Sequence, residues 1–183
     1  MSSSKWQGEI FCLLGRNGAA KSTTLSAIAR LLSMTSGQIR YAPDLHVGIA
    51  TQKDVLWDEL TCKQVSTTSS IRLLQLTSIS QHVELWRAIK NTPDHLQTEP
   101  DLDLLARCDL APKTAFLSKN LSGGQKRKLQ LACALAGGSN LLLLDEISSG
   151  LDPLSRRAIW KLITANRGRT TIVLTTHCMC SIV

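Results

Sequence analysis

The stretch GRNGAAKST, Gly15 to Thr23, decides the fold. It follows the pattern G-x-x-x-x-G-K-[ST] at every position but one, because Ala20 stands where the second glycine belongs. A loop of this kind points backbone N–H groups at phosphate oxygens, and the dipole of the helix that follows adds to the field. Gly15 and Gly18 permit the turn and a close backbone approach. Lys21 has the reach for β- and γ-phosphates, and Ser22 offers a hydroxyl to Mg²⁺. The flanks agree. Glu9 to Leu14 (EIFCLL) reads as a buried strand feeding the loop, and Lys21 to Leu32 reads as a helix with Leu25, Ile28, Ala29 and Leu32 on one face. If Ala20 requires positive φ, its methyl group costs about 1–2 kcal/mol. A loss of that size weakens nucleotide binding about tenfold without abolishing it.

Strands and helices alternate along the rest of the chain. Val47 to Ala50 is a second apolar run, and Leu141 to Leu144 is a leucine run suited to a strand buried on both faces. Pro153 to Asn166 reads as a helix with proline in its first turn, and Thr170 to Thr175 (TTIVLT) as a last strand. This alternation predicts a parallel sheet covered on both faces. Between Asp54 and Asn120 the pattern turns polar and helical, broken at Pro93, Pro100 and Pro112. Ser122 to Ala136 is then helical and stops at Gly137-Gly138. The expected organisation is one α/β domain, with residues 1–53 and 137–183 as its core and 54–136 as an inserted helical subdomain. Val65 to Gln81 fits neither a helical nor a strand period, and is set apart as an atypical insertion.

Two further stretches carry chemistry. LLLLDE, Leu141 to Glu146, puts two carboxylates at the C-terminal end of a buried strand, where open α/β sheets bind their ligands. Asp145 suits Mg²⁺ and Glu146 suits a general base that polarises the attacking water. LSGGQ, Leu121 to Gln125, has capping-box spacing between Ser122 and Gln125, with the backbone N–H groups of Gly123 and Gly124 beside it. It reads as a plain helix cap or as a second anion site.

With SGLD (Ser149 to Asp152) and TTH (Thr175 to His177), these motifs stand in the order seen in ATP-binding cassette ATPases, and the chain resembles the nucleotide-binding domain of an ABC transporter. LSGGQKRKLQLACALAGGS and DPLSRRAIW resemble subfamily A, the lipid-exporter-like group. The resemblance implies a P-loop NTPase (RecA-like) fold that binds ATP and Mg²⁺ and hydrolyses ATP to power transport, with lipid as a candidate cargo. Gly15, Asn17, Gly18, Ala20, Lys21, Ser22 and Thr23 would hold the nucleotide. Ser22, Gln52 and Asp145 would hold the metal, and Glu146, His177 and Gln52 would serve catalysis. Ser122, Gly123, Gly124 and Gln125 would reach ATP on a second cassette in a head-to-tail dimer, with Asp152 at the dimer seam. The other implied partners are the transmembrane domains of a transporter, which would place the cassette on the cytoplasmic face of a membrane. No direct nucleic-acid contact is expected.

Several features depart from the family pattern. Beside Ala20, Ile147 replaces the usual proline after Glu146, a tolerable change at the end of a strand. The chain looks truncated at both ends. Trp6 does not match the adenine-stacking position, and CMCSIV follows His177 where further elements are expected. The 65–81 segment reads as retained non-coding sequence or as a surface-loop insertion. Net charge is +7, which favours anionic partners, although its main cluster, Lys126 to Lys128, fits a solvated helix face equally well. The cysteines show no C-x-x-C pairing, so a reducing compartment is expected, and Cys178-Met179-Cys180 beside His177 lacks a second cluster for a metal site. Two readings stand beside transport: a soluble ABC ATPase acting on nucleic acid or ribosomes, and a non-catalytic cassette fragment.

Overall fold

The computed structural model describes residues 7–53, 56, 79–90 and 100–177. They fall into two compact units, one from Met1–Lys53 with Ser139–Val183 and one from Asp54–Gly138, so that Gly137 and Gly138 belong to the second.

The first unit is built on a sheet of β1 (Ile10–Leu14), β2 (Val47–Ala50), β3 (Leu141–Asp145) and β4 (Thr171–Thr176), in the order β1-β4-β3-β2. Every pairing is parallel. Parallel strands need long crossovers, and α5 (Pro153–Ala165) supplies the one between β3 and β4. The leucine run of β3 sits between two paired neighbours, and Leu142, Leu143 and Leu144 are fully buried. Leu25 from α1 (Lys21–Ile28) and Ile159 and Ile163 from α5 complete this core. The edge strand β1 differs: Phe11, Leu13 and Leu14 are all exposed.

The α1 helix is shorter than its apolar spacing predicts. It ends at Ile28, Arg30 takes a left-handed conformation with φ of 60°, and Leu31 and Leu32 are exposed. Tyr41 explains the early stop, since its hydroxyl donates to the carbonyl of Ile28 at 2.9 Å and its ring lies 4.1 Å from the Arg30 guanidinium carbon. Leu32 is therefore not a core residue. Ile147 is also placed differently from the expectation. It lies in a turn beyond β3, where it is buried.

The second unit packs α2 (Ile79–Lys90), α3 (Asp101–Arg107) and α4 (Gly123–Leu135) together, joined by short 3₁₀ turns at Ala111–Lys113 and Ser118–Asn120. Its core includes Ile79, Val83, Leu105, Leu110, Leu129 and Leu131. The set-apart segment 65–81 is too long by three residues, 79–81, which lie in α2. Ile79 and Ser80 open α2, Ile79 is fully buried, and its N–H donates to the carbonyl of Phe116 at 3.1 Å. The rest of that segment, to residue 78, lies outside the described residues, as do Trp6, Cys178 and Cys180.

Lys90 closes the unit's helical packing. Its ammonium donates to the carbonyls of Cys133, Ala134 and Ala136, at 3.1, 2.7 and 2.7 Å. These are carbonyls at the C-terminal end of α4, which a helix leaves without partners of its own. Burial lowers the Lys90 pKa to about 8, with Cys133 acting upward and Arg87 downward. Among the described residues, no helix is long and apolar enough to cross a membrane.

Candidate functional site

Gly15 to Ala20 forms the exposed turn between β1 and α1. Gly15 is favoured by space, because a Cβ there would crowd the Cβ of Ala19 at 3.1 Å and touch the Lys21 stem. Gly18 is required by conformation, at φ of 84°. Ala20 takes φ of 58° and ψ of 21°, so the alanine occupies the left-handed region that a glycine would fill without strain. Its carbonyl still begins the helix, accepting from the Thr24 N–H at 2.9 Å. Asn17 and Thr23 are exposed in the loop and on the first turn.

Lys21 is buried at 6% exposure, unusual for a lysine, and the loop wraps around it. Its Nζ donates to the carbonyls of Gly15 at 2.8 Å and Arg16 at 3.1 Å, and lies 3.7 Å from Glu146 Oε1. Ser22 donates its hydroxyl to Asp145 Oδ1 at 3.0 Å. The loop after β1 and the acids after β3 are thus joined through two adjacent residues of α1.

Strand geometry alone would send Asp145 and Glu146 to opposite faces of the sheet. Glu146 avoids this by leaving the extended region, with φ of 47°. Asp145 meets Ser22 while Glu146 meets Lys21, and both acids are buried at 9% exposure. Gln52 and His177 complete the cluster. The Gln52 amide donates to Glu146 Oε2 at 3.2 Å, and His177 Nδ1 lies 3.5 Å from the same oxygen.

Sequence reading missed the side chain that ties the two acids together. Thr175 stands opposite Asp145 in the β3–β4 register. Its hydroxyl donates to Asp145 Oδ1 at 2.6 Å and accepts from the Glu146 N–H at 3.0 Å. The available signal was a threonine near the end of an apolar strand, two residues before the histidine.

The remaining candidates form helix N-termini. Ser122 and Gln125 make a full capping box on α4: the Gln125 N–H donates to Ser122 Oγ at 3.3 Å, and the Ser122 N–H donates to Gln125 Oε1 at 3.1 Å. Gly123 and Gly124 are the first residues of that helix, and a Cβ on Gly123 would meet nothing within 4 Å. Asp152 caps α5, accepting from the N–H groups of Leu154 at 3.0 Å and Ser155 at 2.9 Å. Hydrogen bonds from Ser155, first from its side chain and then from its backbone, hold the Asp152 carboxyl below its usual pKa.

The donor set around Ser22 can accept Mg²⁺. Ser22 and Asp145 present a hydroxyl and a carboxylate oxygen 3.0 Å apart, and Gln52 adds an amide that touches Glu146. The hydroxyl and the carboxylate are hard oxygen ligands of the kind Mg²⁺ takes together with phosphate oxygens and water, while Gln52 contacts Glu146 through its amide nitrogen. Among the described residues, no group of three or more His, Cys, Asp or Glu side chains is arranged to hold a metal.

Comparison with known proteins gives these contacts a family. The family model of the ABC transporter matches residues 1–149. The chain is 36% identical over 183 residues to "ABC transporter A family member 5" of Dictyostelium discoideum, covering 94% of this chain and 10% of that protein. It is 36% identical over 183 residues to mouse "Glucosylceramide transporter ABCA12", covering 94% of the chain and 6% of that protein. It is 35% identical over 184 residues to human "Phospholipid-transporting ATPase ABCA3", covering 95% and 10%. The chain thus spans a tenth or less of the length of these curated relatives. Among solved structures, an ABC transporter of metal-chelate type in an inward-facing conformation matches with a TM-score of 0.72 at 25% identity, over 97% of this chain and 66% of that one. The parallel sheet, the loop after its first strand and this likeness define a P-loop NTPase fold. The chain belongs to the ABC transporter family.

Proposed function

We propose that this chain is the nucleotide-binding module of a membrane transporter, and that it binds Mg-ATP and hydrolyses it to drive transport. The observation that carries the reading is the contact network of Lys21, Ser22, Gln52, Asp145, Glu146 and His177, drawn from four separate stretches of sequence. Structural ion pairs do not require a left-handed glutamate, a buried lysine and a phosphate loop at one place.

The loop N–H groups and the N-terminus of α1 bind the phosphates. Lys21 exchanges its carbonyl partners for β- and γ-phosphate oxygens, which offer it a stronger, charge-assisted bond. Ser22, Gln52 and Asp145 would hold Mg²⁺, which would supply positive charge to the bound triphosphate. Glu146 orients the attacking water and takes its proton, and its present contacts keep the carboxylate facing the loop. His177, beside Glu146 and 47% exposed, is free to reach toward the γ-phosphate.

Cassette pairing and a lipid cargo are inferred from kinship. ABC transporters act as paired cassettes, and the capped N-terminus of α4, with Ser122, Gly123 and Gly124, is the feature of this chain suited to phosphate on a second cassette. The names of the relatives, phospholipid-transporting ATPase and glucosylceramide transporter, point to a lipid cargo handled by membrane segments beyond this cassette. Those segments would hold it at the cytoplasmic face.

The test is Mg-ATP turnover by the chain and by E146Q. The expected result is turnover that falls by about 10²–10⁴-fold in E146Q while ATP binding persists. Turnover untouched by E146Q would refute the assignment of Glu146. Absence of ATP binding, read as no thermal shift at millimolar Mg-ATP, would refute the reading of the whole site.

A further inference from the structure

We infer that Thr175 is a positioning residue for this site, whose hydroxyl links the metal-side carboxylate of Asp145 to the backbone of Glu146 and so sets the two acids relative to each other. The inference rests on the reading of Asp145 and Glu146 given above.

A hydroxyl has one proton to give and two lone pairs to receive with. Thr175 uses both functions at once. It gives its proton to Asp145 Oδ1 at 2.6 Å and receives the Glu146 N–H at 3.0 Å. The short bond to Asp145 is in the range of charge-assisted hydroxyl–carboxylate contacts. The bond to Glu146 falls where the chain leaves the sheet at φ of 47°, a conformation that persists only when its surroundings impose it. Thr175 is 2% exposed, so bulk water cannot replace its hydroxyl.

The register makes the link specific. Thr175 faces Asp145 directly across the β3–β4 pair, so its side chain is fixed by a rigid sheet rather than by a loop. Asp145 Oδ1 also accepts from Ser22 at 3.0 Å, and the network therefore runs from Ser22 through Asp145 and Thr175 to Glu146. Its two ends are the candidate metal hydroxyl and the candidate general base. A displaced Asp145 would alter the metal requirement, and a displaced Glu146 would alter turnover. Partners one shell out from a metal typically change affinity or activity by about 10–100-fold when removed.

The experiment compares the wild-type chain with T175A, T175V, T175S and E146Q, measuring kcat, KM for ATP, the Mg²⁺ concentration at half-maximal rate, and Tm. T175A and T175V are expected to lose about 10–100-fold in kcat and to need more Mg²⁺, with KM for ATP changed far less. T175S keeps the hydroxyl and is expected to restore both quantities to within a few-fold of wild type. T175V brings a methyl against Asp145; if it does not fold, T175A carries the test. A folded T175A with wild-type kcat and Mg²⁺ dependence overturns the inference, as does a T175S chain no better than T175A. Wild-type turnover that is sensitive to E146Q but indifferent to T175A sinks the inference alone. Turnover that survives E146Q removes the assignment of Glu146, and absent turnover together with absent ATP binding removes the reading of the whole site; either takes the inference with it.

Discussion

Replacing Ala20 with glycine separates two effects that the sequence runs together. Ala20 sits at φ of 58° and ψ of 21°, where an L-residue with a Cβ is strained by about 1–2 kcal/mol. Glycine removes that strain but loosens the unfolded chain, which returns about 0.4–1 kcal/mol. The net gain is roughly 0–1.6 kcal/mol, or up to about 6 °C in Tm for a chain of this size. The strain is already present with no nucleotide in the loop, so it appears on both sides of the binding equilibrium and cancels. ATP affinity should therefore change by less than about twofold, instead of the tenfold a strain-on-binding argument gives. A melting curve and an ATP titration on A20G measure both quantities, and A20V, β-branched at positive φ, should melt below wild type. A lower Tm for A20G would refute the strain argument. An unchanged Tm with roughly tenfold tighter ATP would show that the loop becomes left-handed only on binding.

Other outcomes follow from the same geometry. Burial puts Lys90 near a pKa of about 8, below the ordinary 10.5, so the folded chain carries fewer protons than the unfolded one between those values. The destabilisation from burying its charge is fully present below about 8 and is relieved as pH rises toward 10.5, on the order of 3 kcal/mol at most. Urea unfolding across that window should show stability rising with pH, with a smaller slope in K90M. S122A removes the side-chain half of the capping box and should cost about 1 kcal/mol, or roughly 2–4 °C in Tm. Asp152, held below its usual 3.8, stabilises the fold above that value and loses the contribution as pH falls through its folded pKa. The acid limb of a stability–pH curve should therefore flatten in D152N.

Much of the site was legible because its chemistry is written in contiguous residues. Gly15, Gly18, Lys21 and Ser22 lie within one loop and helix start, and Asp145 and Glu146 are adjacent at the end of a leucine strand. Local spacing cannot reveal partners distant in sequence. Thr175 acts on Asp145 from 30 positions away, through a register that exists only once β3 and β4 pair. Lys90 reaches the end of α4 from more than forty positions away. The helical period of α1 continued to Leu32 on paper, yet Tyr41 and a left-handed Arg30 stopped it at Ile28. The sign of φ at Ala20 was likewise undecided by the sequence, since a glycine-to-alanine change is compatible with either a relaxed or a strained backbone.

The β1 strand has a practical side. IFCLL carries neither lysine nor proline, and Phe11, Leu13 and Leu14 all meet solvent on a strand that pairs only with β4 among the described residues. Natural sheets usually blunt such a border with charge or a bulge. A purified preparation would be expected to turn cloudy as it is concentrated, and a single lysine at position 13 would be the simplest means of keeping it clear.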